Sequence, residues 1–427
     1  MGRNKSAIII GTGIGGLLTG ANLASKGYDV TFLEQLDIAG GRFTHIDFEG
    51  FAIPTGAFHA FPGGIGGPIS QCLQKLGIPI DLVIPDQSFI IDLNGKMLPL
   101  NIRKKSGTKS GTSKIFGLDN KFKLLTALVE AGLISLVGKD MSVDKFIEKA
   151  GGNKQAIQLF DHLTKFSVGV SVDLASIVDI SRSLFVQNLG KEGFLRRGNK
   201  DLIDTLVQFL SSHGSQFKFN TTVSRLVFDD THVSQVITNT GDYVGDVIIF
   251  NVGMHRSAKI LADRAPNELI SLARKSIPAW GAAHAVRCRR RLHHRDSIIL
   301  PLKYDSIAGI VPVSEICPLL CPEGWSFSLV YQALNRENMI EEQINSAYTE
   351  LYDYLGDDID VFNTAIYRDT HPAAAIAQMI GQNGTARLPL HFKGMPNIYF
   401  VGHDVQGAGI AAEIIGDSCR HVWKIIP

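Results

Sequence analysis

Ala7–Gly11 (Ala-Ile-Ile-Ile-Gly) is a short, unbroken apolar run that stops at glycine. A run that is apolar on both faces predicts a buried strand of a parallel sheet. From Gly13 to about Lys26 small and apolar residues recur at helical spacing, and Gly27 follows as a helix-ending residue. Asp29–Glu34 (DVTFLE) is a second β-branched run, closing on an acid. The start of the chain therefore reads as a strand–helix–strand unit.

The same texture returns much later. Asn199–Ser212 predicts an amphipathic helix with Leu202, Leu206 and Leu210 on one face, stopped at Gly214. Phe217–Phe228 and Val233–Thr238 read as strands, and Asp246–Val252 (DVIIFNV) as another buried strand. Near the end come the run Asn397–Val401, a glycine-rich turn, and a helix from about Gly409 to Trp423. Between these pieces lie longer, less regular stretches. The division is 1–82, 195–260 and 385–427 for a discontinuous nucleotide-binding domain, and 83–194 and 261–384 for a second, substrate-binding domain built from the insertions. Ile102–Lys114 is a basic Ser/Gly-rich loop, and Leu125–Val137 an apolar segment that suits a core or a lid helix.

Length agrees with two domains, since 427 residues exceed one ordinary core. A net charge of +1 gives no electrostatic reason to expect nucleic acid. Apolar residues make up 45% and charged residues 19%, a globular balance. Mean hydropathy is +0.11, which leaves room for an apolar partner. No apolar stretch reaches the roughly 18–20 residues of a spanning helix, and the N-terminus lacks a secretory pattern. The expected compartment is the cytoplasm. The opening Met-Gly-x-x-x-Ser fits an acylation pattern, but a strand beginning at Ala7 leaves little tether. Cys72, Cys288, Cys317, Cys321 and Cys419 are scattered and odd in number, so they read as buried thiols rather than a metal set.

Gly11-Thr12-Gly13-Ile14-Gly15-Gly16 matches G-x-G-x-x-G between a predicted strand and a predicted helix. Gly11 makes the turn, Gly13 lets a pyrophosphate approach the backbone, and Gly16 lets helix pack on strand. The helix start offers free N–H groups and the positive end of its dipole. Glu34 lies about 20 residues on, where a carboxylate holds ribose hydroxyls. Ala39-Gly40-Gly41-Arg42 adds a second backbone pass and a guanidinium for phosphate. Then come Gly50-Phe51-Ala52-Ile53-Pro54-Thr55-Gly56-Ala57-Phe58-His59 and, near the end, Asn397-Ile-Tyr-Phe-Val-Gly402-His403-Asp404 with Gly407-Ala-Gly409-Ile410-Ala411.

In these motifs the chain resembles the flavin amine oxidase and phytoene desaturase superfamily. The likeness covers roughly 1–60, 195–260 and 390–427. Phe-Ala-Ile-Pro-Thr-Gly and Phe250-Asn251-Val252-Gly253 are most similar to phytoene desaturase-like proteins. The resemblance implies an α/β fold with α+β insertions: a discontinuous Rossmann-like FAD-binding domain with a second substrate-binding domain, of the glutathione reductase/amine oxidase type. It implies FAD as cofactor. Gly11, Gly13, Gly16, Glu34, Gly41 and Arg42 would bind ADP and pyrophosphate, with Thr12, Ile14, Gly15, Gln35 and Gly40 beside them. Val223 would flank adenine. Gly56, Ala57 and His59 would lie near the flavin, Gly402 near the ribitol phosphate, and Gly409, Ile410 and Ala411 at the O2 edge of the ring. The family has Gly-Asp after its last strand. Here His403 intervenes, so either Asp404 shifts in or His403 replaces a carboxylate contact.

The flavin carries the hydride step, so no protein acid or base is required and the sequence names no catalytic residue. His59, without a partner in sequence, reads first as a packing or hydrogen-bonding histidine. Tyr367–His371 could line the pocket or be an ordinary loop. Arg287–Arg295 holds five Arg and two His in nine residues. It reads as a counter-charged edge or as a contact for a membrane surface. The leading expectation is an FAD-dependent oxidoreductase transferring a hydride to or from an apolar, isoprenoid-like small molecule, with an electron acceptor the sequence does not name. The alternatives are a flavoenzyme acting on a small amine, a lipid-binding protein of the GDP-dissociation-inhibitor kind, and a plain NAD dehydrogenase.

Overall fold

The computed structural model describes residues 4–56, 58, 61, 63–100, 140–186, 192–369 and 375–427. Ser6–Ile10 forms the expected strand at the centre of a five-stranded parallel sheet. The spatial order is Ile398–Phe400, Val247–Phe250, Ser6–Ile10, Asp29–Leu33, Gln216–Lys218. The reason for the unbroken apolar run is visible in its packing. Ala7 and Ile9 join the core on one face, with Leu17, Leu18, Leu202, Leu206 and Val422. Ile8 and Ile10 join the core on the other, with Val223, Leu226, Met254 and Leu269. A strand covered on both sides has no position left for polar residues.

The helices Ile14–Ser25, Gly198–Ser212 and Ala412–Ile425 supply the first of those covers. The second comes from a small antiparallel sheet (Val223–Asp229, His232–Thr238, Asp242–Tyr243) and the helices Met254–Leu261 and Asn267–Lys275. From the central strand the chain moves outward to one side through Asp29–Leu33 and Gln216–Lys218. It then returns to place Val247–Phe250 and Ile398–Phe400 on the other side. The order thus reverses between Ser6–Ile10 and Val247–Phe250. In open parallel sheets the crevice at such a reversal, beyond the carboxyl ends of the strands, is where ligands bind.

A second, seven-stranded mixed sheet takes its strands from Phe89–Leu93, Lys96–Pro99, Gly281–Cys288, Ile298–Pro301, Gly309–Val311, Ser326–Ala333 and Asp360–Tyr367. The helix Lys154–Val168 packs on one face, and Ile340–Leu355 covers Val286, Ile310 and Val330 on the other.

Two elements differ from the sequence reading. The predicted strand Phe217–Phe228 is two strands in two sheets, broken at Asn220 (φ 52). Asn220 and Thr221 donate their N–H groups to Leu36 and Glu34 carbonyls, so the polar Asn-Thr-Thr stretch folds back onto the second parallel strand. The last helix begins at Ala412 rather than Gly409, because Gly409 (φ 104) and Ala411 (φ 48) make a turn in the left-handed region. Ile102–Lys114 and Leu125–Val137 lie outside the described residues. Among the described residues, no helix is long and apolar enough to cross a membrane.

Candidate functional site

The glycine turn leaves the central strand at the reversal point. Gly11 N–H donates to Leu33 O at 2.9 Å, and its φ of 94 aims the chain across the sheet edge. A Cβ on Gly13 would stand 2.6 Å from Asn251 Oδ1, and one on Gly16 would stand 2.5 Å from Gly11 O. The Gly11 carbonyl therefore excludes a side chain at Gly16, and a side chain at Gly13 would have to displace the Asn251 amide. Gly15 and Ile14 are buried in the first turn of the helix Ile14–Ser25. That helix has no side-chain cap and no acid in its first turn. Its N–H groups and positive dipole end are left for another partner.

Glu34 ties this turn to the second strand. Its Oε2 accepts from Thr12 N at 2.8 Å and from the Thr12 hydroxyl at 2.7 Å, and its Oε1 accepts from Leu36 N at 3.0 Å. An ionised carboxylate has about four acceptor sites, so one remains. Gln35, next to it, points into solvent as an exposed residue. Val223 is buried at the start of its strand, two residues beyond the Thr221 N–H that donates to Glu34 O.

The second glycine pair meets the first. Gly40 N–H donates to Thr12 O at 2.9 Å, and Gly13 and Gly40 form a parallel bridge. Arg42 follows. Burial pulls its guanidinium below the ordinary pKa, and neighbouring Asp404 acts in the opposite direction. Asp404 accepts the Met254 N–H, which caps the helix Met254–Leu261, while His403 is buried. Gly402 (φ 148) lies within reach of Asn251, whose Nδ2 donates to Val401 O at 2.9 Å. Asn251 Oδ1 is buried with no hydrogen-bond partner, beside Gly13 and Gly16. One asparagine thus bridges the first and last glycine turns.

Gly56 packs so tightly on Arg42 that a Cβ would stand 2.6 Å from Arg42 O. Tyr367 donates its hydroxyl to Gly56 O at 3.3 Å, and Tyr331 Oη accepts from Phe58 N at 2.7 Å. Burial raises both phenols, Tyr367 to about 12. Ala57 and His59 lie outside the described residues, as do Thr370 and His371. The C-terminal turn is held from below. Ala408 N–H donates to Asp417, Ile410 N–H to Glu413 and Ala411 N–H to Gln378, all at 2.8–2.9 Å.

A family model for flavin-containing amine oxidoreductases matches residues 14–416. The chain belongs to this family. It is an FAD-dependent oxidoreductase. Among curated relatives, an uncharacterized protein of Methanocaldococcus jannaschii is 26% identical over 371 residues, spanning 85% of this chain and 86% of the other. The 1-hydroxycarotenoid 3,4-desaturase of a Flavobacterium species is 22% identical, spanning 65% of this chain and 63% of its own. The probable polyamine oxidase 4 of Arabidopsis thaliana is 29% identical over 114 residues, only 24% of this chain and 22% of its own. A crystal structure of an oxidoreductase from Methanosarcina mazei superposes with a TM-score of 0.84 at 21% identity, covering 98% of this chain and 100% of the other.

The residues of this flavoenzyme fit FAD. The uncapped helix start suits a diphosphate, the remaining lone pair of Glu34 suits a ribose hydroxyl, and Arg42 adds a cation at the same crevice. The turns that would hold the cofactor converge from residues 11–16, 40–42, 56 and 402–404. Asn251, Gln378, Tyr331 and Glu413 were given no role by sequence reasoning. The signal for Asn251 is that it ends the strand beside the first glycine turn, which only the strand order reveals.

The basic run is counter-charged, and it passes from the end of the strand Gly281–Cys288, which has neighbours on both sides, into the loop that follows. Arg287 pairs with Glu49 at 2.6 Å and Asp360 at 2.9 Å, Arg290 with Asp358 at 2.7 Å, and Arg291 with Glu315 at 2.5 Å. Arg289 stacks on Trp325 at 3.8 Å from the ring centroid. Of the Cys-x-x-x-Cys pair, Cys317 is buried and Cys321 half-buried, and burial raises their thiols to about 12 and about 11.

Proposed function

We propose that this flavoenzyme transfers a hydride between flavin N5 and an apolar, isoprenoid-like substrate. One observation supports the reading most. Phe58, beside the Gly56 turn, and Ile410, in the C-terminal turn, belong to a single apolar cluster. That cluster also holds Phe194, Val168, Val170, Val172 and Ile177. Phe58 stacks on Phe194 at 5.7 Å, and Phe166 meets Tyr331 edge-on at 5.5 Å. A substrate seated against this packed cluster would meet hydrocarbon, which favours an apolar molecule over a hydrated cation. The similarity to a carotenoid desaturase points the same way.

Bound FAD supplies a two-electron hydride carrier. The chain contributes the walls and the fixed turns, and an electron acceptor of unstated identity completes the cycle. Oxidation of a small amine is the second reading, favoured by the paired tyrosines Tyr331 and Tyr367. Both hydroxyls, however, brace backbone, Tyr367 at Gly56 and Tyr331 at Phe58.

The test is anaerobic and runs in both directions. FAD-loaded protein is mixed with polyprenyl and carotenoid substrates in detergent, and separately with aliphatic and aromatic amines. Bleaching of oxidised flavin, or reoxidation of reduced flavin, by the polyenes supports the proposal. Bleaching by amines alone would replace it with the second reading.

A further inference from the structure

Beneath the C-terminal turn lies a buried polar cluster that neither the glycine motifs nor the apolar walls explain. Asp179, on the helix Ile177–Val186, and Arg387 form an ion pair in which both side chains are 0% exposed. Arg387 Nη1 donates to Gly407 O at 3.1 Å, while its Nε is buried without a partner. Gln378, also buried, donates through Nε2 to Asp179 at 3.1 Å and to Gly409 O at 3.3 Å. Its Oε1 accepts from Ala411 N at 2.8 Å. Arg387 and Gln378 thus grip the turn at Gly407, Gly409 and Ala411, and Asp179, from a distant segment, holds both of them.

Stability does not account for this arrangement. A buried ion pair repays its desolvation only with full hydrogen bonding, and apolar residues of similar volume often do as well. Here one guanidinium nitrogen is unsatisfied. The turn itself carries strain, since Ala411 is a non-glycine residue at φ 48. Such a conformation persists where the surroundings over-determine it, and it concentrates at functional sites. The cluster does that over-determining. It is also stiff: a planar fork, a fixed carboxylate and an amide whose three hydrogen bonds all end on the cluster or the turn.

We propose that Gln378, clamped by the buried Asp179–Arg387 pair, is a positioning residue that sets the Gly407–Ala411 turn for the flavin. The proposal rests on reading that turn as the flavin-facing element.

Two variants test it. Gln378→Met keeps the volume and removes all three hydrogen bonds. Asp179→Asn keeps the shape and leaves the Arg387 charge uncompensated. FAD-free protein is titrated with FAD, the midpoint potential of the bound flavin is measured, and far-ultraviolet dichroism with thermal melting of the FAD-free protein reports folding. Gln378→Met should fold and bind FAD about tenfold more weakly, roughly the factor that a net hydrogen bond carries. Asp179→Asn should move the potential to more positive values, because an uncompensated cation favours the reduced, more negative flavin. Wild-type affinity and potential in both variants would overturn the proposal. Should Gln378→Met not fold, the potential of Asp179→Asn decides alone. Wild-type protein that takes up no FAD would instead bring down the underlying cofactor reading, an outcome the titration separates from the rest.

Discussion

Glu34 and Thr12 are joined twice, through the Thr12 N–H at 2.8 Å and the Thr12 hydroxyl at 2.7 Å. The end of the second strand is thereby locked to the glycine turn that follows the first. The carboxylate has two tasks in this account: it completes the turn, and it offers its remaining lone pair to a ribose. Glu34→Ala should therefore lose both stability and cofactor. Leaving the buried Thr12 N–H unsatisfied costs about 1–3 kcal/mol. Melting of the FAD-free protein reads that loss, and FAD titration reads the additional loss of affinity. An unchanged melting temperature would show that the Thr12 contact carries no weight.

Gly13 and Asn251 make a second coupled pair. A methyl at Gly13 meets Asn251 Oδ1 at 2.6 Å, and that amide belongs to a side chain. Gly13→Ala should destabilise by about 1–3 kcal/mol through overpacking. Adding Asn251→Ala should recover part of the loss. Gly16→Ala has no such relief, since its methyl would meet the Gly11 carbonyl at 2.5 Å. A double-mutant cycle in denaturant separates the cases; additive losses for Gly13→Ala and Asn251→Ala would contradict the contact.

His284 gives the fold a defined acid sensitivity. It lies between two strands of the seven-stranded sheet, wholly buried, with Nδ1 at 3.1 Å from Thr364 Oγ1 and Nε2 at 3.2 Å from Gln332 Oε1. Gln332 Nε2 donates to Gln343 O, which fixes Oε1 as the acceptor and puts the imidazole proton on Nε2. Burial lowers the pKa to about 4. The unfolded chain takes up this proton near pH 6.5 and the folded chain refuses it until about 4. Stability is thus complete above about 6.5 and falls as pH drops toward 4, by up to about 3 kcal/mol from this group. His293, also lowered to about 4 by burial and then by Arg290, acts in the same sense. Denaturation of His284→Gln should show a shallower fall between pH 6.5 and 4; an identical slope would mean that His284 titrates freely.

The thiols should be silent in the folded state. Cys72, Cys317 and Cys419 are 0% exposed and Cys288 is 3% exposed. Burial raises Cys317 and Cys419 to about 12 and pushes Cys72 higher still. Reaction needs the thiolate. A disulfide reagent at pH 8 should modify Cys321 at most in native protein, and all five cysteines after denaturation. Rapid labelling of more than one thiol would show an opening the packing does not contain.

The parallel sheet is legible in the sequence because three of its five strands, at Ala7–Ile10, Val247–Phe250 and Ile398–Phe400, are buried throughout and so read as apolar runs. The glycine turns are legible because a side chain would meet a backbone carbonyl at 2.5–2.6 Å at Gly16 and Gly56, and the Asn251 amide at 2.6 Å at Gly13. What pattern could not show is long-range order. Asn251 matters because its strand lies beside the first one, and periodicity carries no information on strand neighbours. The break at Asn220 is invisible because it depends on carbonyls of Leu36 and Glu34 far away in sequence. Asp179, Gln378 and Arg387 are polar residues in irregular or weakly patterned stretches, and only the closed fold shows that they meet. The start of the last helix is misplaced for a related reason: Gln378 and Glu413 take the N–H groups of Ala411 and Ile410 and hold a turn where a helix start is expected.

The central claim is that the crevice at the strand reversal, framed by Gly11–Gly16, Glu34, Arg42 and Asn251, holds FAD. The most direct measurement is the visible absorption of the purified protein, with identification of the cofactor released on denaturation and titration of any apo-protein with FAD. The account predicts a flavin spectrum, release of FAD, and loss of that binding in Glu34→Ala. A colourless protein that fails to take up added FAD would contradict it.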